Sequence, residues 1–188
     1  MHGGTVVLIV VVIIALLIAA WALLDRQKGR RLRAKYGPEY DRLAQQERSE
    51  HRATAILQQR EKRVAKYQIR SLNEQERAGL AAEWRVVQEH FVDNPRGAVA
   101  DADRLIDQAL KARGYPVAEF EQQAADLSVQ YPGVVDNYRK AHAIAIEDRS
   151  GSATTEQLRQ AMQHYRSLFE DVLGTKVMHT EHEEVRHV

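Results

Sequence analysis

The chain has 188 residues, 44% of them hydrophobic and 28% charged, which is ordinary globular material and too apolar for a wholly disordered chain. It has no cysteine, which excludes a disulfide scaffold, a thiolate zinc site, an iron–sulfur cluster and a cysteine nucleophile. The net charge of +1 hides a gradient: residues 25–36 hold six basic residues and one acidic, whereas residues 71–173 hold eleven basic and seventeen acidic. That asymmetry points to a surface partner for the basic part, not to a fold.

The first predicted element is a membrane anchor over residues 1–25. Val6 to Leu24 is an unbroken apolar run of 19 residues, VVLIVVVIIALLIAAWALL. As a helix it would rise about 29 Å, near the thickness of a bilayer core. A cleaved signal peptide would carry a basic leader and a shorter apolar stretch, and Met1-His2-Gly3-Gly4 has no basic residue. Residues 26–36 follow as a polybasic neck with Arg26, Lys28, Arg30, Arg31, Arg33 and Lys35. No lysine or arginine precedes the run, so the positive-inside rule places the N-terminus outside and the C-terminal domain in the cytoplasm. The expected surroundings are thus the lipid bilayer of a cell membrane and, for these six side chains, anionic lipid headgroups. No recognition motif accompanies the basic cluster, so nucleic acid is not expected as a partner.

Residues 37–70 are expected to be a polar helical stalk. Tyr36-Gly37-Pro38 marks a break, and the segment after it has no internal glycine or proline up to Lys66. Tyr40, Leu43, Glu47, Glu50, Thr54, Leu57, Glu61 and Val64 follow at helical spacing, but only half are apolar. The stripe is too thin for a coiled coil, and weak self-association into a homo-oligomer is its most it supports.

Residues 71–173 are expected to fold as a bundle of five short amphipathic helices, making the fold class all-α. Asn73 with Glu76 forms a capping signal ahead of Leu80, Trp84, Val87 and Phe91. Asn94-Pro95 stops that helix and starts one carrying Val99, Ala102, Ile106, Ala109 and Leu110, which Gly114 ends. A third stripe runs Val117, Phe120, Ala124, Leu127 and Tyr131, and a fourth runs Val134, Val135, Tyr138, Ala141 and Ala145. Thr154 with Gln157 opens the last helix, with Leu158, Met162, Tyr165, Leu168, Phe169 and Val172 as its stripe and Gly174 as its stop. Residues 174–188 read as a disordered tail containing His179, His182 and His187 among Glu181, Glu183 and Glu184.

The stretch from Ala82-Glu83-Trp84-Arg85 through Phe91-Val92-Asp93, Ala98-Val99-Ala100-Asp101-Ala102-Asp103, Arg113-Gly114-Tyr115-Pro116-Val117 and Ala124-Ala125-Asp126-Leu127-Ser128 to Tyr138-Arg139-Lys140-Ala141-His142 resembles a family of uncharacterised bacterial membrane-anchored or secreted proteins. The resemblance covers roughly residues 36–170. It implies no activity, cofactor or catalytic residue, and the secreted placement of some members runs against a cytoplasmic domain.

Candidate chemistry is sparse. Asp101, Asp103 and Asp107 share one predicted helix, where acidic side chains also suit the N-terminal end. His90, His142 and His164 stand on three different helices without a metal-binding spacing. Arg85, Arg113 and Arg139 are candidate partners for Glu83, Asp126 or Asp136. Phosphate-binding glycine loops, nucleophile elbows and nucleotide fingerprints are absent, so no cofactor, metal site or catalytic residue is expected. The best-supported function is a protein-interaction or scaffold module. An enzyme built from Glu83, Asp103 and His142 would require those three to converge on one concave pocket.

Overall fold

The computed structural model describes residues 11–17 and 27–174, and every described regular element is helical. Among the described residues no helix is long and apolar enough to cross a membrane. This corrects the expected single-pass anchor and, with it, the placement of the chain across a cell membrane. Of Val6–Leu24, only residues 11–17 are described, and they are helical. The rest of that run, like Arg26 and the histidine-containing tail from residue 175, lies outside the described residues.

The chain divides into two compact units, Met1–Gln58 and Gln59–Val188, a division that falls inside the segment expected to be a stalk. In the first unit, helix α1 covers residues 27–36 and α2 covers Pro38–Glu47. Gly37, at φ 50°, joins them in a left-handed conformation that favours glycine, and Pro38 occupies the first turn of α2. Helix α3, Glu50–Val64, begins in this unit. Leu32, Tyr36, Tyr40, Leu43, Ala53 and Leu57 form its core.

No solvated rod exists here. The helix breaks at Arg48, which takes the αL conformation at φ 51° while its backbone and that of Ser49 close the end of α2 on Ala44 and Gln45 carbonyls. Turning the chain lets Tyr40 and Leu57 bury each other's neighbours, so the apolar half of the thin stripe makes a small core. Arg48 itself does not signal the break, since a non-glycine αL residue costs roughly 1–2 kcal/mol, but Ser49 beside it caps the next helix, its Oγ accepting from the Arg52 N–H at 3.3 Å.

The second unit is the expected helical bundle: α4 Glu74–Asp93, α5 Pro95–Ala112, α6 Phe120–Gln130, α7 Val135–Arg149 and α8 Thr155–Leu173. Its helices start where the caps lie. The Asn73 side chain accepts from the Glu76 N–H at 2.8 Å, and Glu76 accepts from the Asn73 N–H at 2.9 Å. Thr154 and Gln157 form the same reciprocal box. Asn94 Oδ1 accepts from Gly97 N–H at 3.0 Å ahead of α5, and Gly174, at φ 75°, closes α8.

Helices α5 and α8 supply most of the core, through Val99, Ala102, Ile106, Ala109 and Leu110 facing Leu158, Tyr165, Leu168, Phe169 and Val172. Helix α4 packs on α5, α7 on α8, and α6 on α7. Trp84 is buried and stacks on Phe169 with ring centroids 4.8 Å apart. The third stripe starts later than its spacing predicts: Val117 is 85% exposed, and α6 begins only at Phe120. Gly114, at φ 92°, lets residues 113–114 run against residues 68–70, where Arg70 N–H donates to the Arg113 carbonyl at 2.9 Å.

Candidate functional site

Two concave features of the second unit carry the chemistry-bearing residues. The first is an open groove of about 330 Å³ between α4 and α5. The single residue Asn94 separates these helices, so they stay side by side along their length. Val87 and Leu105 are buried at the floor, and Val86 stands at the lip, 64% exposed. Polar side chains flank them: Glu83 from α4 with Asp101, Arg104 and Gln108 from α5. Asp101 is tied on both sides, to His90 Nδ1 at 2.9 Å and to the Arg104 guanidinium.

The second is a cleft of about 220 Å³ between α5 and α7, lined in part by Arg96, Asp103, Asp148 and Arg149. Next to it, Tyr165 Oη donates to Asp103 Oδ1 at 2.8 Å, and His142 Nδ1 lies 4.0 Å from the same oxygen. The His142 ring stacks flat on Phe120 at 3.5 Å between centroids. Its Nδ1 is buried without a hydrogen-bond partner. Burial pushes the His142 pKa below its usual value, against the pull of Asp103. Burial also pushes the Asp107 carboxyl up, while the Gln123 amide donating at 2.8 Å works the other way. The Tyr165 hydroxyl is driven upward by burial and by the neighbouring Asp103 charge. These groups knit α5, α6, α7 and α8 together; burial favours the neutral form of His142, while the Asp103 and Asp107 charges pull the other way.

The residues singled out in the sequence are thus distributed unevenly. Asp103 and His142 come together, but Glu83 faces the α4–α5 groove, so the three do not share a pocket. Asp101 lines the α4–α5 groove while Asp103 and Asp107 lie together near His142, and among the described residues no group of three His, Asp or Glu side chains is placed to hold a metal ion. His164 is half-buried, with its pKa lowered by burial.

The arginine pairings differ from expectation. Asp126, buried in α6, is bound by Arg63 at 2.8 Å and by Tyr67 Oη at 2.8 Å, both from more than 55 residues upstream. Arg113 instead donates to the Val172 carbonyl at 2.8 Å and to Tyr131 Oη, closing the end of α8. Arg85 is exposed, and Asp136 pairs with Lys140 at 2.7 Å within α7.

The described basic residues Lys28, Arg30, Arg31, Arg33 and Lys35 all lie on α1 and are exposed. Arg33 pairs with Asp41 at 2.9 Å.

Sequence reasoning missed the α4–α5 groove because it followed the buried stripe. The available signal was Val86, an apolar residue that falls off that stripe and is 64% exposed at the groove. No protein-family model, curated protein or solved structure matches this chain.

Proposed function

We propose that the unit Gln59–Val188 is a docking module for another protein, and that its α4–α5 groove takes an amphipathic helix with basic residues beside an apolar anchor. The observation that carries this is Val86, exposed at the lip of a groove whose floor is already apolar. Together with the apolar floor of Val87 and Leu105 it forms a continuous apolar surface that a partner helix laid in the groove would cover.

Charge chooses between partners. Helix α4 carries Glu74, Glu76, Glu83, Glu89 and Asp93 against Arg77 and Arg85. At the groove itself Asp101 is already paired with Arg104 and His90, whereas Glu83 favours a lysine or arginine beside the anchor, and the acidic balance of α4 raises the association rate of a basic helix. With one anchor position and an open groove, affinity is expected around micromolar.

The reading is tested by an amide chemical-shift titration with a synthetic leucine–lysine peptide of helical periodicity and with a permuted isomer of the same composition. The periodic peptide should shift Glu83, Val86, Val87, Leu105 and Gln108, and Val86→Asp should abolish the effect. Equal shifts from both peptides, or shifts centred elsewhere, would refute it.

A further inference from the structure

We infer that the first unit, Met1–Gln58, holds a binding site for a phosphate group in the cleft between α1 and α3, with Arg30 and Arg33 as its cationic ligands. The cleft measures about 540 Å³. One wall is α1, with Gly29, Arg30 and Arg33; the other is the first turns of α3, with Glu50, His51 and Thr54; Tyr40 of α2 closes the floor.

Four features of this cleft suit an oxyanion. First, the two guanidiniums are one helical turn apart and reach the same space. Arg30 has no ion-pair partner among the described residues, whereas Arg33 holds Asp41 at 2.9 Å and stands 3.8 Å from Glu50. The second contact is an ion pair without a hydrogen bond, and the Glu50 side chain is 74% exposed, so it can swing into water as an anion takes its place beside Arg33. Second, the first residues of α3 line the cleft, and although Ser49 takes the Arg52 and Ala53 N–H groups, the positive end of the helix dipole favours negative charge there.

Third, two buried hydroxyls line the floor with poor partners. Tyr40 is 2% exposed and Thr54 is 7% exposed. Their oxygens sit 3.3 Å apart, and the Tyr40 hydroxyl is 3.4 Å from the Glu50 carbonyl. Ordinary hydroxyl bonds are about 2.7–2.8 Å, so both groups are held loosely and would shorten onto a phosphate oxygen. Fourth, the space exists because position 29 has no side chain. A Cβ there would lie 3.7 Å from Tyr40 Oη and 3.8 Å from Thr54 Oγ1, and a longer side chain would fill the cleft.

The surroundings add long-range attraction. Residues 27–58 hold eight basic and four acidic side chains. The same chemistry is offered by a free phosphate compound and by a lipid phosphate headgroup. The inference does not depend on the docking groove of the other unit.

The test uses the full chain with two probes: inorganic pyrophosphate followed by titration calorimetry, and phosphatidylcholine vesicles with and without phosphatidic acid followed by co-sedimentation. The expected result is saturable binding of one anion per chain. Arg30→Gln should weaken it about tenfold, the loss of one charge-assisted contact, and Gly29→Leu should abolish it. Gly29→Ala and Arg31→Gln should leave it unchanged, since neither fills the cleft nor removes a lining charge. Pyrophosphate binding with this pattern assigns a free phosphate compound; the same pattern with phosphatidic acid alone assigns a headgroup. Arg30 and Arg31 are both exposed, so their comparison stands even if Gly29→Leu perturbs the fold. Binding of neither probe overturns the inference. So does equal weakening by Arg30→Gln and Arg31→Gln, which would mean diffuse charge and no site.

Discussion

Replacing Trp84 with alanine probes how α4 is held to the bundle. Trp84 lies mid-helix, 7% exposed, with its indole stacked on Phe169 of α8 at 4.8 Å and an interplanar angle of 19°. Removing a buried tryptophan costs roughly 3–5 kcal/mol, of which about 0.5–1.5 belongs to the aromatic pair. Trp84→Phe keeps a ring on Phe169 and is expected to lose roughly half as much or less. For a unit of this size each kcal/mol moves the midpoint roughly 3–6 °C, so Trp84→Ala should lower it by about 10–25 °C. Hydrogen exchange of α5 and α8 amides reads this unit alone, free of any separate transition in the first unit. A loss below about 1 kcal/mol would mean that the indole does not hold α4 in place. The packing account of α4, and with it the position of the groove, would then be wrong.

Three further outcomes follow from single contacts. Arg63→Ala leaves the Asp126 carboxylate, which is 2% exposed, without its charge partner and with the Tyr67 hydroxyl still donating to it, and should cost about 3 kcal/mol, whereas Asp126→Asn leaves a partly exposed arginine that water can reach and should cost less; the reverse order in urea titrations would contradict the assignment. Gly114→Ala places a methyl 2.3 Å from the Gln68 carbonyl at a φ of 92°, so it should destabilise the second unit by about 2 kcal/mol or more, and a neutral result by thermal unfolding would refute the close approach. Burial holds folded His142 below the value of about 6.5 that it has when unfolded, so the unfolded chain takes up the proton first as pH falls. Stability should therefore decline below about pH 6.5, with the penalty complete beneath the folded pKa, and His142→Gln should flatten that decline; an unchanged slope would show that His142 is not the group responsible.

The helical bundle was legible because its punctuation is local. Asn73 with Glu76, Asn94 with Pro95, Thr154 with Gln157, and Gly174 each act within four residues, and each sits where its cap chemistry puts it. The stripes on α5 and α8 were equally legible, since period and burial coincide there. Three things were not. The apolar run at the N-terminus has the composition of a membrane span, but among the described residues no helix is long and apolar enough to cross a membrane. The turn at Arg48 is imposed by burying Tyr40 and Leu57, not by a breaker residue. Pairings such as Arg63 with Asp126, or Asp103 with Tyr165, join residues about 60 positions apart and depend on the finished packing. The groove and the cleft share that limit: Arg30 and Arg33 were conspicuous as charges, but the space they line is created by Gly29 and by the fold of α3.

The docking account is tested most directly by site-specific photo-crosslinking in cells, with a benzophenone side chain replacing Val86 in the groove and, as a control, Gln163 on the exposed face of α8. The account predicts a discrete adduct from position 86 and none from position 163, with the linked peptide identified as an amphipathic helix carrying basic residues beside an apolar anchor. No adduct at position 86, equal adducts from both positions, or a linked segment that is acidic or lacks helical periodicity would contradict it.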